Sequence, residues 1–403
     1  MSTAAASSSN WCGIWSIPEA SGKRASHPGE LNVPRSLQTD RWLFLATLAL
    51  CMIGAVMVFS ASAVIAREQH GNAYTFILKQ LVWLALGLVG MFWMMNMDYR
   101  KLRQPTVILS SLFVVLLLLV SVFFLDRSHA THRWIRVGSV GVQPSEFVKL
   151  VVILYLAWFL DMRRRPLGTR PAKGINDLGS SLGPALGPVL LLVGLIVLQP
   201  DLGTAVEIFL ITLAILFVAG LANRYILYAA LTALPVIYLL IVRVSYRYER
   251  ILGFLNPEAD PQGRGFQLLQ SLIAVGSGGL GGVGLMESRQ KLFYLPEAHT
   301  DFIYAVLCEE LGFVGSIVVV GLFAIYGWRG IRAAMTAPDE FGRLTALGIT
   351  VMVVSQALIN LGVVLGMMPT KGIPLPFVSY GGSSLLVMLV ATGVLLNISQ
   401  QAD

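Results

Sequence analysis

Residues 105–125 read PTVILSSLFVVLLLLVSVFFL, an uninterrupted run of uncharged positions. A helix needs about 20 apolar residues to cross a bilayer, and this run supplies them without a break. A transmembrane β-barrel would show alternating segments of roughly 10 residues instead. The stretch therefore reads as a membrane-spanning helix, and similar runs recur on both sides of it. Ten spans are expected, at 42–65, 76–97, 105–125, 146–160, 182–198, 205–221, 225–244, 302–328, 344–368 and 377–398. The fourth, fifth and sixth are short, so they tilt little, extend into flanking loops or thin the bilayer locally. Composition agrees: 56% of the 403 residues are hydrophobic and 13% charged, against roughly 25% charged in soluble domains. Mean hydropathy is +0.72. The expected fold class is all-α, a polytopic integral membrane protein.

Lys and Arg near span ends set orientation. Arg100, Lys101 and Arg103 follow the second span, and Arg163, Arg164, Arg165, Arg170 and Lys173 follow the fourth. Arg329, Arg332 and Arg343 follow the eighth, and Lys23, Arg24, Arg35 and Arg41 precede the first. All of these fall on one side, which is expected to be cytoplasmic with both termini inside. Residues 1–40 are polar and rich in Ser, Pro and Gly, with no cleavable signal peptide. They read as a disordered tail ahead of an uncleaved signal anchor. The membrane domain then occupies 41–400, with a large extracytoplasmic loop at 245–301. Within that loop 266–275 is apolar but too short to span, which suits an interfacial or re-entrant helix.

The net charge of +7 has no basic soluble domain to carry it, so it speaks for anionic headgroups and orientation rather than nucleic acid. Cys12, Cys51 and Cys308 are far apart, and neither a disulfide framework nor a metal site is implied. The run from Gly276 to Gly281 satisfies G-x-G-x-x-G, but no βαβ unit surrounds it. His129 and His132 lack the partners a zinc site needs.

Chemistry gathers at the outer ends of the spans. Asp301 stands where the long loop meets the eighth span, in Pro296-Glu297-Ala298-His299-Thr300-Asp301-Phe302. A carboxylate there is partly desolvated, which raises its pKa and suits a general base; alternatively Thr300 or Asp301 caps the helix. Glu309 and Glu310 lie about 12 Å deeper on that helix, as functional carboxylates or as a buried pair with Lys or Arg. Arg243, Arg247 and Arg250 recur at helical spacing, which places them on one face at the outer end of the seventh span. They either hold a phosphate or snorkel to headgroups. Three prolines between 369 and 376 forbid a helix around Lys371, leaving either a cavity-lining segment with a phosphate ligand or a plain turn. Further polar groups interrupt the outer span ends: Gln143-Pro144-Ser145-Glu146 with Lys149, Gln199-Pro200-Asp201-Leu202-Gly203, and Glu207. Gln356 and Asn360 share a helix face and suit interhelical packing.

These motifs together resemble a known family. Arg133-Trp134-Ile135-Arg136, Gln143-Pro144-Ser145-Glu146, Gln199-Pro200-Asp201-Leu202-Gly203-Thr204 and the stretch Leu295–Phe302 look like signatures of the SEDS family (shape, elongation, division and sporulation), in order, over about residues 41–400. Asn360 through Ser379-Tyr380-Gly381-Gly382-Ser383-Ser384 resembles its C-terminal signature. Pro296-Glu297-Ala298-His299 and Pro369-Thr370-Lys371-Gly372 look more like the division branch than the elongation branch. The resemblance implies ten helices and a peptidoglycan glycosyltransferase that polymerises lipid II outside the cytoplasmic membrane. It further implies a class B penicillin-binding protein as partner, among other membrane proteins of the division machinery.

The family's functionally important outer-loop aspartate falls on Asp301, the expected general base. Arg136, Arg243, Arg247, Arg250, Lys291 and Lys371 are then candidates to neutralise the pyrophosphate, together with a divalent cation (Mg or Mn) if one is used. Glu146, Lys149, Asp201, Glu297, His299 and Ser379 are the remaining expected substrate-site residues. Two other classes fit the same cavity: a lipid II flippase, for which Glu207, Glu309 and Glu310 are the best features, and a non-catalytic scaffold that activates the penicillin-binding partner.

Overall fold

The computed structural model describes residues 39–125, 133–137, 140–164, 175–292 and 294–401. The tail up to residue 38, the pair His129 and His132, and the basic residues Arg165, Arg170 and Lys173 lie outside the described residues. Among those described are α1 (Arg41–His70), α2 (Thr75–Asn96), α3 (Pro105–Leu125), α4 (Pro144–Arg164), α5 (Gly183–Leu198), α6 (Leu202–Val218), α7 (Asn223–Val242), α8 (Ser245–Leu255), α9 (Phe266–Ser277), α10 (Ile303–Thr336), α11 (Glu340–Val364) and α12 (Gly382–Gln400). A short antiparallel hairpin pairs β1 (Ile135–Val137) with β2 (Val140–Val142), Ile135 opposite Val142. Each of the ten expected spans corresponds to a helix, and the short apolar patch at 266–275 is α9.

Helix boundaries follow local chemistry. The Asp40 carboxylate accepts from the backbone of Trp42 and Leu43, each at 3.1 Å, and caps α1. At its far end Gly71 adopts the left-handed conformation that closes a helix. Asp201 caps α6 and Asp339 caps α11. The last helix starts at Gly382 rather than at residue 377, because Phe377 has φ 63° and the preceding backbone is irregular.

Among the described residues, eight helices are long and apolar enough to cross a membrane. The other two expected spans, α4 and α6, owe their place to protein neighbours. α4 packs on α3, α6 and α11, while α6 packs on α5 and α11. Glu146, Lys149 and Asp161 of α4 are thereby buried among helices instead of facing lipid. The most enclosed elements are α4, α11 and α12, with α1, α2 and α10 around them.

Ion pairs gather at one end of this bundle: Arg103 with Asp161 at 2.9 Å, Arg164 with Glu340 at 2.7 Å, and Arg329 with Asp40 at 2.6 Å. Three of the basic residues that set the expected orientation are thus each paired with a carboxylate. At the opposite end lie the first turns of α2, α4, α6, α10 and α12 and the outer loop.

Two interruptions shape the outer half of the bundle. Residues 243–244 separate α7 from α8, Val244 being extended at φ −119°, ψ 107°. The expected placement of Arg243, Arg247 and Arg250 on one face at the outer end of the seventh span is therefore corrected: Arg243 ends α7, and the other two belong to α8. The second break divides α10, where Gly312 has φ 64° and ψ −163°.

Candidate active site

Asp301 sits one residue before the cap of α10. That cap is Phe302, which offers no side-chain hydrogen bond, while the Thr300 hydroxyl donates to the Glu297 carboxylate at 2.8 Å. Neither side chain is spent on capping the helix. The surrounding backbone is sewn to the segment after α11. Asn360 donates from Nδ2 to the carbonyls of Asp301, at 2.7 Å, and Ile373, at 2.8 Å. The Ser379 hydroxyl donates to the Thr300 carbonyl at 2.6 Å and accepts from the Leu375 amide at 2.8 Å. Tyr380 N–H donates to the His299 carbonyl at 3.0 Å. Ser379 is 4% exposed, so it acts as a strut between two chain segments. A Cβ placed on Gly372 would lie 3.0 Å from Asp301 Oδ2, which fixes how closely this segment approaches the carboxylate.

Burial raises the Asp301 carboxyl to about 7, with the negative charges of Glu297 and Asp201 pushing the same way and Arg250 and Arg133 pulling it down. A carboxylate titrating near neutrality next to guanidinium groups suits proton abstraction beside an anionic group. His299 packs against the rings of Phe76, 5.0 Å away, and Tyr380, 5.7 Å away, which also touch each other edge-on at 5.2 Å. Burial pushes its imidazole below the usual histidine value, against the pull of Glu297. Glu297 is exposed and has φ 56°, and its carbonyl receives the amides of Thr300 and Phe302 in the turn that holds Asp301.

The cations divide sharply. Arg250 donates to the Thr370 carbonyl at 3.2 Å and lies 4.4 Å over the Tyr246 ring. Arg247 donates to the Leu240 carbonyl at 3.0 Å, and burial together with Arg133 lowers its pKa, against Asp201. Lys371, next to Gly372, is pushed below the ordinary lysine value by burial. Arg133 donates to the carbonyls of Gln199 and Pro200. Sequence reasoning singled out Arg136 of the same motif, but Arg136 is exposed on β1 and Arg133 is the arginine whose charge reaches Asp301. Alternation along a strand could have signalled that Arg133 and Arg136 point to different sides. Arg243 is exposed beyond α7.

Lys291 is 4% exposed and pairs with Glu310 at 2.8 Å, a partnership inside the bundle. Asp201 is similarly engaged: its carboxylate accepts from Gln143 at 3.0 Å, Ser145 at 3.3 Å and Thr204 at 2.8 Å. Beneath the site, Lys149 lies 2.9 Å from Glu146, 3.3 Å from Glu207 and 2.7 Å from the Gln356 oxygen. Gln356 in turn donates to the Pro374 carbonyl at 2.8 Å. Glu146 and Lys149 therefore support the floor of the site. Among the described residues no three His, Cys, Asp or Glu side chains converge on a metal position, so these side chains alone do not build a divalent-cation site.

The fold and site define a class: a multi-pass helical membrane protein with a half-buried, arginine-flanked carboxylate at one end of its bundle. The chain belongs to the family of FtsW, RodA and SpoVE, described as cell cycle proteins, which it matches over residues 41–403. It is 45% identical to a probable peptidoglycan glycosyltransferase FtsW of Trichlorobacter lovleyi over 91% of this chain and 94% of that one. It is 44% identical to the stage V sporulation protein E of Bacillus subtilis, over 90% and 97%. Among solved structures, a chain of a peptidoglycan synthase complex that coordinates polymerization and crosslinking matches with TM-score 0.71 and 33% identity, over 90% of this chain and 98% of that chain. The rod shape determining protein RodA of Thermus thermophilus matches with TM-score 0.64 and 29% identity, over 92% and 99%.

Proposed function

We propose that this protein is a peptidoglycan glycosyltransferase that polymerises lipid II into glycan strands at the outer face of the cytoplasmic membrane. The end of the bundle bearing Asp301 faces outward in this reading, and the end bearing the ion pairs of Arg103, Arg164 and Arg329 faces the cytoplasm with both termini. Asp301 takes the proton from the 4-hydroxyl of the acceptor sugar. The freed oxygen attacks the anomeric carbon of the donor, and the bond to the polyprenyl pyrophosphate breaks. A single displacement inverts an α-linked donor to a β-linked strand. The departing pyrophosphate carries charge that Arg133, Arg247, Arg250 and Lys371 neutralise, while the membrane holds both lipid tails and limits the search for a reactive geometry. No step is routed through a divalent cation.

The observation that carries this reading is the setting of Asp301: half-buried at the start of α10, its loop tied down by Asn360 and Ser379, with Gly372 against its carboxylate and Arg250 bonded to the neighbouring Thr370 carbonyl. Membership of the family supports the same chemistry. The FtsW name of several relatives favours septal synthesis during division, with a class B penicillin-binding protein and other division proteins as partners. The synthase complex among the similar structures supports such a partner. The carboxylates best suited to transport, Glu207, Glu309 and Glu310, are each engaged by hydrogen bonds or ion pairs within the bundle, which favours the polymerase reading over the flippase one.

The test uses purified protein with a penicillin-binding partner that lacks its own glycosyltransferase domain, on labelled lipid II. Strands from the original protein, and none from a folded Asp301→Asn variant, support the mechanism. Equal strands from both remove Asp301 from it. None from either turns the reading toward translocation or scaffolding.

A further inference from the structure

The glycine run that mimics a dinucleotide motif has a structural task. In an unbroken helix the amides of Phe313 and Val314 would donate to the carbonyls of Glu309 and Glu310. The turn at Gly312 splits both bonds, and the loop backbone takes up all four groups. Phe313 donates to the Gly279 carbonyl at 2.9 Å and Val314 to that of Leu280 at 3.2 Å. In return Val283 donates to the Glu309 carbonyl at 3.0 Å and Gly284 to that of Glu310 at 3.1 Å. Approach this close requires glycine: a Cβ on Gly278 would fall 1.9 Å from the Cys308 carbonyl oxygen, and one on Gly282 would fall 2.1 Å from that of Glu310.

The same two glutamates extend the attachment through their side chains. The Glu309 carboxylate accepts from the Arg289 amide at 3.0 Å and the Ser288 hydroxyl at 2.5 Å. Glu310 accepts from the Lys291 ammonium at 2.8 Å and from the hydroxyl of Ser60, on α1, at 2.7 Å. Lys291 Nζ is also 3.1 Å from the Ser60 oxygen. Lys291, Glu310 and Ser60 are all buried.

The consequence concerns residues 303–311, the short half of α10 that follows Asp301. A helix of that length has little stability of its own, and the break uncouples it from the long half. What it is fastened to decides where its first turn points. We propose that the Lys291–Glu310 ion pair, closed by Ser60, is a positioning clamp that sets the location of Asp301 from the opposite end of this half-helix. The proposal rests on Asp301 being the base in the reading above. The lever is about 13 Å long at 1.5 Å per residue, so the clamp residues stay clear of the reacting atoms. Losing them acts on kcat and leaves KM little changed, because the base moves while the pyrophosphate ligands do not.

The test compares the original protein with Lys291→Met/Glu310→Gln, which removes both charges and so leaves neither buried alone. Ser60→Ala serves where the double variant does not fold. The readouts are kcat and KM for strand synthesis, and amide hydrogen exchange over residues 284–302 with α4 and α11 as internal references. The expected result is a fall in kcat of about 100-fold, the scale of an ångström-sized misplacement, with faster exchange confined to 284–302. Lys291→Arg, which keeps the charge, restores most of the rate. Unchanged exchange overturns the clamp whether or not strands are made, and so does a kcat equal to that of the original protein. Failure of the original protein to make strands counts against the glycosyltransferase reading, and the exchange measurement then still decides the clamp.

Discussion

Asn360 bridges two chain segments: its single Nδ2 group donates to the carbonyl of Asp301 at 2.7 Å and to that of Ile373 at 2.8 Å. The residue is buried. It fixes the loop that carries Asp301 to the irregular segment that follows α11, and so ties a polar helix residue to the candidate site.

Asn360→Leu leaves both carbonyls without their donor. Stability falls by about 1–3 kcal/mol, the cost of unsatisfied buried polar groups, and strand synthesis falls further than the thermal midpoint alone explains. Thermal unfolding in detergent, run beside the lipid II assay, separates the two effects.

The pH dependence follows from the sign of the Asp301 shift. As the proposed base Asp301 works ionised, and its pKa is raised to about 7 by burial, then by Glu297. The rate should rise with pH up to about 7 and level above it. Glu297→Gln removes a negative neighbour, lowers that pKa and moves the rising limb to lower pH. Arg250→Gln moves it to higher pH. A pH–rate profile that ignores both substitutions removes the titration of Asp301 from the rate.

Stability carries the opposite sign. A carboxyl raised on folding binds its proton more tightly in the folded state, so its contribution is favourable at low pH and is lost as pH rises from the unfolded value toward about 7. Asp301→Asn, which never ionises, should melt higher than the original protein at pH 8. The difference should vanish in acid. Melting curves at the two pH values check it.

Lys149 is the cation shared by Glu146 and Glu207, and it is 1% exposed. Lys149→Met leaves two carboxylates buried without it and costs about 3–5 kcal/mol. Adding Glu207→Gln recovers part of that loss. Equal melting temperatures for the original protein and the single variant would remove Lys149 from the support of the bundle.

The glycine run supplies its own control. Gly282 has φ 80°, and a Cβ there meets the Glu310 carbonyl, whereas a Cβ on Gly281 meets nothing within 4 Å. Gly282→Ala should cost about 3 kcal/mol or more, and Gly281→Ala should stay within about 0.5 kcal/mol. The pair of melting temperatures decides it.

Much of this protein was legible in its sequence. Uncharged runs such as 105–125 specify membrane helices because hydrogen bonding and hydrophobicity act locally there, and a bilayer leaves the backbone few other options. The carboxylate at the start of a span was legible as well, since Asp301 keeps its place relative to α10 whatever the rest of the bundle does. The prolines around Lys371 announced irregular backbone for the same local reason.

The partners of those groups were decided by the tertiary structure. Arg133 and Arg136 look equivalent in a motif, and only the hairpin and the turn at Pro200 bring Arg133 to the site. Lys291 resembles a free phosphate ligand until Ser60, 231 positions earlier in the chain, closes its pair with Glu310. The glycine run imitates a nucleotide motif and instead fills a break in α10. Periodicity and local propensity report on neighbours along the chain. Charge pairing and close backbone approach depend on distance in space, which the packing of α1, α4, α10 and α11 alone sets.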